Sequence, residues 1–202
     1  MASLREQKKY QNQQKIINEA TKSFLEKGYQ ETRIAEIAKK ANMGTGTIYN
    51  YYPSKGSLLL AVLEDEFTRL KEDNQGVSVI PEGENLVEKI TYFVKLITRF
   101  FDDFPKKFWR EITHVMTEDA EESNGIRRGV FGLDQDLMNH LKVIIEDHKN
   151  DTHVPIDSVQ ATEVIYNIVM MESMLFIYQD EMSYQQLVDR IEQQIAFIFN
   201  GK

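Results

Sequence analysis

Nine consecutive residues, Gly44-Thr45-Gly46-Thr47-Ile48-Tyr49-Asn50-Tyr51-Tyr52, gather two glycines, two threonines, an asparagine and three tyrosines, with Lys55 just beyond. Short hydroxyl and amide side chains make hydrogen bonds to base edges. Phenols, a lysine and a helix N-terminus are phosphate partners. Glycines at 44 and 46 remove side chains, so a backbone can approach closely. The competing reading is that the tyrosines are core aromatics. That reading suits Tyr52, which flanks an apolar run. Tyr49 and Tyr51 are assigned to phosphate contact, because three aromatics cannot all face one small core.

Other groups of chemically capable residues form no complete motif. Glu111-Ile-Thr-His114 matches one half of the Glu-x-x-His pattern of di-iron helical bundles, but the required second copy is missing. His148 and His153 fall at a helix end and in a loop and read as surface residues. Gly44-Thr-Gly46 lacks the preceding strand and the third glycine of a dinucleotide fingerprint. No Gly-x-Ser-x-Gly, Walker or His-Glu-x-x-His motif occurs. Cysteine is absent, which excludes disulfides and thiolate zinc sites. We expect no enzyme activity, no metal and no cofactor.

The elements around the nine residues are helical. Ile16, Ile17, Ala20, Phe24 and Leu25 recur at helical spacing from Gln11 to Lys27, with Gly28 as a left-handed stop. A short helix carries Ile34, Ile37, Ala38 and Ala41 on one face. Asn42-Met43-Gly44 turns the chain, Thr45 to Tyr51 forms the next helix, and Pro53 ends it. A fourth helix starts behind Ser54. Two short helices joined by a three-residue, glycine-containing turn are the helix-turn-helix signature, whose second helix enters the DNA major groove.

Charge follows the same division. The 202 residues carry a net −8, which as an average argues against nucleic acid. Residues 1–60 hold ten Lys and Arg against five Glu, a net +5, and the remaining 142 hold 14 against 27, a net −13. Such asymmetry fits parts with different partners, with a merely solvated basic face as the alternative. The N-terminus lacks an apolar signal region, and Ile165 to Tyr178 is too short to span a bilayer, so a cytoplasmic location is the simplest expectation.

Residues 73–84 break all periodicity and read as a linker. Helices are expected at about 85–104, 105–117, 126–149, 157–179 and 183–199, with capping boxes at Asn85–Glu88, Asp157–Gln160 and Ser183–Gln186. Glu118 to Asn124 reads as an exposed acidic stretch and 150–155 as a loop. No β alternation is found. The expected fold is all-α with about nine helices. A three-helix helix-turn-helix DNA-binding domain at 1–56 would precede a helical effector-binding and dimerisation domain at 57–202.

From Gly28-Tyr29 through Thr32, Ile34-Ala35, Ala41-Asn42-Met43-Gly44, Gly46-Thr47-Ile48-Tyr49, Tyr51-Tyr52 and Ser54-Lys55, the order of residues resembles the TetR-family DNA-binding domain over about residues 10–60. Arg33 stands where a second Thr usually caps helix two, Asn42 replaces the turn glycine, Gly44 replaces the usual Ser cap, and Gly56 replaces a Glu. The resemblance implies a homodimeric transcriptional regulator, mostly a repressor in this family. It binds a palindromic DNA operator and releases it when a small ligand enters the C-terminal domain. By position, Thr45 and Thr47 open the reading helix with Gly46 and Asn50. Tyr49, Tyr51 and Lys55 hold phosphates, Ala35 lies where some members meet DNA, and Arg33 adds a contact. On ligand binding, the fourth helix would swing and the two reading heads would lose register.

Dimerisation falls to the last two helices, which in the family pair with their mates as a four-helix bundle. Ile165, Val169, Met170, Leu187, Ile191, Ile195 and Ile198 are assigned to that interface, with the chain's own core as the alternative. An apolar or aromatic effector would meet the aromatic-rich region at Tyr92, Phe93, Phe100, Phe104, Trp109, His114, Phe131 and Met138, although any one aromatic here is more often core. The alternative function is a helical enzyme or a lipid- or small-molecule-binding module without DNA binding.

Overall fold

A computed structural model describes residues 3–73, 85–117, 121–149 and 155–200. Among them are ten α-helices and no strand: α1 Leu4–Lys27, α2 Ile34–Lys40, α3 Thr45–Tyr51, α4 Lys55–Asp73, α5 Leu86–Thr98, α6 Phe100–Asp103, α7 Lys106–Thr117, α8 Glu121–His148, α9 Ser158–Tyr178 and α10 Tyr184–Asn200. The all-α expectation holds, with one helix more than expected. The helix foreseen over 85–104 is broken at Arg99, leaving α6 as a separate turn. α1 begins earlier than its apolar pattern, because Ser3 and Glu6 form a capping box about three turns ahead of the first buried residue, Ile16.

Side-chain caps fix most starts. Asn85 and Glu88 cap each other's backbone, as do Ser183 and Gln186. Asp157 accepts from the Val159 and Gln160 amides. α8 starts at Glu121, so residues 121–124 are helical, and Ser123 is buried rather than exposed. The linker at 74–84 and the loop at 150–154 lie outside the described residues.

The helices cluster into two compact units. One comprises Met1–Glu66 with Lys107–Val130, the other Phe67–Lys106 with Phe131–Lys202. In the first, α2 packs on α1 and α3 around Ile16, Phe24, Ile37 and Ile48, all without exposed surface. The Phe24 ring lies tilted against those of Tyr29 and Phe108, at centroid distances of 5.8 and 6.3 Å. In the second, α10 packs on α9 and α5 around Ile90, Ile165, Leu187 and Ile195. No helix among the described residues is long and apolar enough to cross a membrane.

Candidate nucleic-acid interface and effector cavity

The turn before α3 is built as its sequence requires. Asn42 takes φ 55°, a left-handed conformation that asparagine tolerates. Gly28, after α1, has φ 88° and ψ 171°, a glycine conformation that differs from the left-handed helical stop expected there. Neither α2 nor α3 has a side-chain cap, so the amides at the start of α3, behind Gly44, keep their outward donors.

Ile48, fully buried, and Tyr52 anchor α3 to the first unit. Burial pushes the Tyr52 phenol up from its ordinary pKa, as suits a core tyrosine. Opposite these anchors, Gly46, Thr47, Tyr49 and Asn50 are exposed, and Thr45 and Tyr51 are half-buried. Arg33 and Ala35, at the start of α2, are exposed as well. The Tyr51 hydroxyl accepts from Asn12 Nδ2 at 3.2 Å, which ties α3 to α1. Lys55 behaves differently. Its ammonium donates to the carbonyls of Tyr29, Gln30 and Thr32 at 2.9, 3.0 and 3.3 Å, over the Tyr29 ring. It holds the 28–32 loop, and a phosphate would compete with three carbonyls for it.

Sequence reasoning missed a second basic element. Arg5, Lys8, Lys9 and Asn12 on α1 face Thr47, Asn50 and Tyr51 across a cleft of about 480 Å³. Their i, i+3 and i+4 spacing was available as a signal, but these residues lie before the apolar pattern of α1 and counted only toward net charge. Basic groups beside an uncapped helix N-terminus, with polar side chains turned outward, suit a sugar–phosphate backbone lying against α3.

The family model described as bacterial regulatory proteins, tetR family, matches residues 16–62, the segment holding α2, α3 and their braces. Over residues 16–62 the chain is thus similar to the tetR family. Among its relatives, the HTH-type transcriptional repressor KstR of Rhodococcus jostii (strain RHA1) is 36% identical over 86 residues, 42% of this chain and 39% of that protein. The HTH-type transcriptional regulator YhgD of Bacillus subtilis (strain 168) is 27% identical over 134 residues, 65% of this chain and 66% of that protein. The chain thus aligns with less than half of KstR. The fold matches FadR of Bacillus subtilis, solved in complex with stearoyl-CoA, with a TM-score of 0.67 at 18% identity, over 94% of this chain and 98% of that one.

The second unit holds a narrow cavity of about 70 Å³. Of the expected ligand residues, Phe93, Phe100 and Met138 line it. Tyr92 and Phe104 belong to the same unit but not to the lining, and Trp109 and His114 lie in the first unit. The side chain of Phe131 lies outside the described residues. Val169 and Met170, assigned from sequence to a dimer face, line the cavity instead, and sequence reasoning also missed Thr98 and Ser173 there. Ile165, Leu187, Ile191 and Ile195 are enclosed in the chain's own core, where a second copy cannot reach them. The exposed large hydrophobic side chains of α9 and α10 include Val159, Val164, Met171, Met174, Tyr178, Phe197 and Ile198, of which Ile198 is one of the seven residues assigned to the interface from sequence.

Glu111 and His114, one half of a Glu-x-x-His pattern, are placed apart from other metal-ligating groups among the described residues. The Glu111 carboxylate accepts from the Gln30 amide at 3.0 Å and His114 is exposed. No group of three or more metal-ligating side chains occurs among the described residues.

Proposed function

We propose that the chain is a dimeric transcriptional regulator, acting mostly as a repressor, that reads a palindromic DNA operator with α3 and responds to a small, largely apolar effector taken up by the second unit. The observation that carries this reading is α3 itself. It is anchored by Ile48 and Tyr52, uncapped at its N-terminus, and turns Thr47, Tyr49 and Asn50 outward beside the cations of α1. Thr45, Gly46, Thr47 and Asn50 meet base edges, and Tyr49, Arg33 and the α1 cations meet phosphates. Lys55 and Tyr51 act mainly by positioning. Ala35 lies beside the backbone.

One reading head makes few contacts, so two heads on half-sites about 34–36 Å apart supply specific affinity. The exposed row Val164, Met171 and Met174 on α9, with Phe197 and Ile198 on α10, is the face we assign to the second copy. We assign no enzymatic role, because the relatives KstR and YhgD are named as transcriptional regulators. The acyl-CoA in the FadR complex supports an apolar effector without identifying it.

A mobility-shift titration on fluorescent DNA from the chain's own upstream region tests the reading. The expected result is a shift whose midpoint weakens steeply between about 50 and 200 mM salt. No shift at low salt, with a control regulator shifting its own operator, would favour a small-molecule-binding module without DNA function. Linkage adds a second check. An effector that releases DNA must bind the DNA-bound protein less tightly by the same factor, and equal affinity in both states contradicts release.

A further inference from the structure

We infer that the cavity of the second unit takes an electrically neutral, hydrocarbon-rich molecule with a single hydrogen-bonding group, and that this group meets the Ser173 hydroxyl. The inference rests on the reading that this unit senses an effector. It adds the charge class of that effector and the residue that recognises it.

The lining supplies the first argument. Phe93, Phe100, Met138, Val169 and Met170 present rings, a thioether and methyl groups, and among the described residues the lining carries no charge, its polar members being Thr98, Tyr166 and Ser173. A carboxylate or ammonium brought into such a space loses its water and finds no counter-charge, which is far costlier than burying a neutral hydroxyl. Glu172, next to Ser173 in sequence, does not alter this. Its carboxylate accepts from Arg190 Nε at 2.6 Å and Nη2 at 3.0 Å, and from Gln194 Nε2 at 2.6 Å.

Ser173 supplies the second argument. It is 3% exposed, its Oγ has no hydrogen-bond partner, and it lines the cavity. A serine within a helix ordinarily returns its hydroxyl to the carbonyl four residues back. Thr98, on the same wall, does so, donating to the Val94 carbonyl at 2.7 Å. Ser173 does not, and a buried hydroxyl left unmet is costly enough to be rare. A ligand oxygen or nitrogen would meet it. Size limits the choice further. A space of about 70 Å³ is about half of the ~150 Å³ that holds benzene in an engineered cavity, so a slim chain or a small ring enters only as the flexible Met138 and Met170 of the lining give way.

The test uses the full chain and four probes at neutral pH: 1-octanol, octanoate, octylammonium and toluene. Binding is followed by calorimetry and by the shift in melting temperature, neither of which involves DNA. The expected result is that octanol binds at least about 10-fold tighter than either ion. In Ser173→Ala, octanol binding weakens by about 3- to 10-fold, the loss of one hydrogen bond, while toluene binds as before. Val169→Phe, which fills the cavity, abolishes both. Octanoate or octylammonium binding as tightly as octanol overturns the neutral class. Unchanged octanol affinity in Ser173→Ala overturns the role of the hydroxyl, and no binding by octanol or toluene overturns the site. The mobility-shift assay is separate. Octanol binding by a chain that never shifts DNA leaves this inference standing and removes the regulator reading.

Discussion

Along α3 the hydrogen-bonding side chains of Thr47, Tyr49 and Asn50 stand in water, whereas Ser173 keeps its hydroxyl in an apolar cavity. Both places hold polar groups that the chain does not satisfy with tertiary contacts, but the medium differs. Water satisfies the α3 groups at no cost, so their presence alone says little; the uncapped N-terminus and the α1 cations beside them give them meaning. Nothing satisfies Ser173, so a single atom there is informative. The same contrast holds for charge. Arg5, Lys8 and Lys9 face the cleft beside α3, while the buried Glu172 in the second unit is fully matched by Arg190 and Gln194.

The sharpest way to break that contrast is to unmatch the buried charge. Arg190→Ala leaves the Glu172 carboxylate, 4% exposed, with only Gln194, and should cost about 3 kcal/mol in denaturant unfolding at pH 7. Glu172→Gln should cost less, because no bare charge remains. The Arg190 hydrogen bond holds the Glu172 carboxyl below its ordinary range, outweighing burial, with Gln194 adding to it. A lowered folded-state pKa gives stability that is full above the unfolded value and lost as pH falls through the folded one. Wild type should therefore lose this contribution at acidic pH and Glu172→Gln should not. Parallel acid profiles for the two proteins would contradict that assignment.

Next in size is the loop at the base of the reading end. An added Cβ at Gly28 would sit 2.6 Å from Glu111 Oε1, at a φ of 88° that side chains rarely adopt. Gly28→Ala should cost about 2 kcal/mol, of which the backbone part is of order 1–3 kcal/mol. Glu111→Ala in that background removes the collision but not the backbone strain, so the double variant should regain only part of the loss.

Lys55 and Lys106 repeat one device in the two units. Lys106 donates to the carbonyls of Gln179, Asp180 and Met182 over the Phe176 ring, as Lys55 does to its own loop over Tyr29. Lys55→Met and Lys106→Met should each lower stability by about 1–2 kcal/mol in thermal unfolding. The salt dependence of DNA binding should stay unchanged in Lys55→Met and become shallower by about one unit in Lys8→Ala. The reverse pattern would restore Lys55 as a phosphate contact.

What the residues disclosed follows from how local the physics is. The helix-turn-helix was legible because turn, spacing and anchors lie within some thirty residues, and Asn42 and Ile48 do what their types require. The loop contacts of Lys55 were not legible, because the Tyr29, Gln30 and Thr32 carbonyls become its neighbours only on folding. α9 is apolar nearly all round, so its periodicity could not divide core Ile165 from lining Val169 and exposed Met171. Ser173 was invisible for a related reason. A serine in a helix is unremarkable until the carbonyl it should bond is seen to go unused.

The smallest expected effect separates stability from recognition at one atom. A Cβ added at Gly46 meets nothing within 4 Å, and the residue sits near the start of α3 with ordinary helical geometry. Gly46→Ala should therefore stabilise the chain by up to about 1 kcal/mol, since alanine is the better helix former. Its methyl group projects from the surface assigned to DNA. If the backbone of α3 approaches the duplex as closely as two glycines in three residues allow, operator affinity should fall by about 10-fold while the melting temperature rises. Opposite signs in the two measurements place the closest DNA approach at this turn of α3. A rise in melting temperature with unchanged affinity moves that approach toward Asn50 and the cations of α1, and the glycines then matter only for folding.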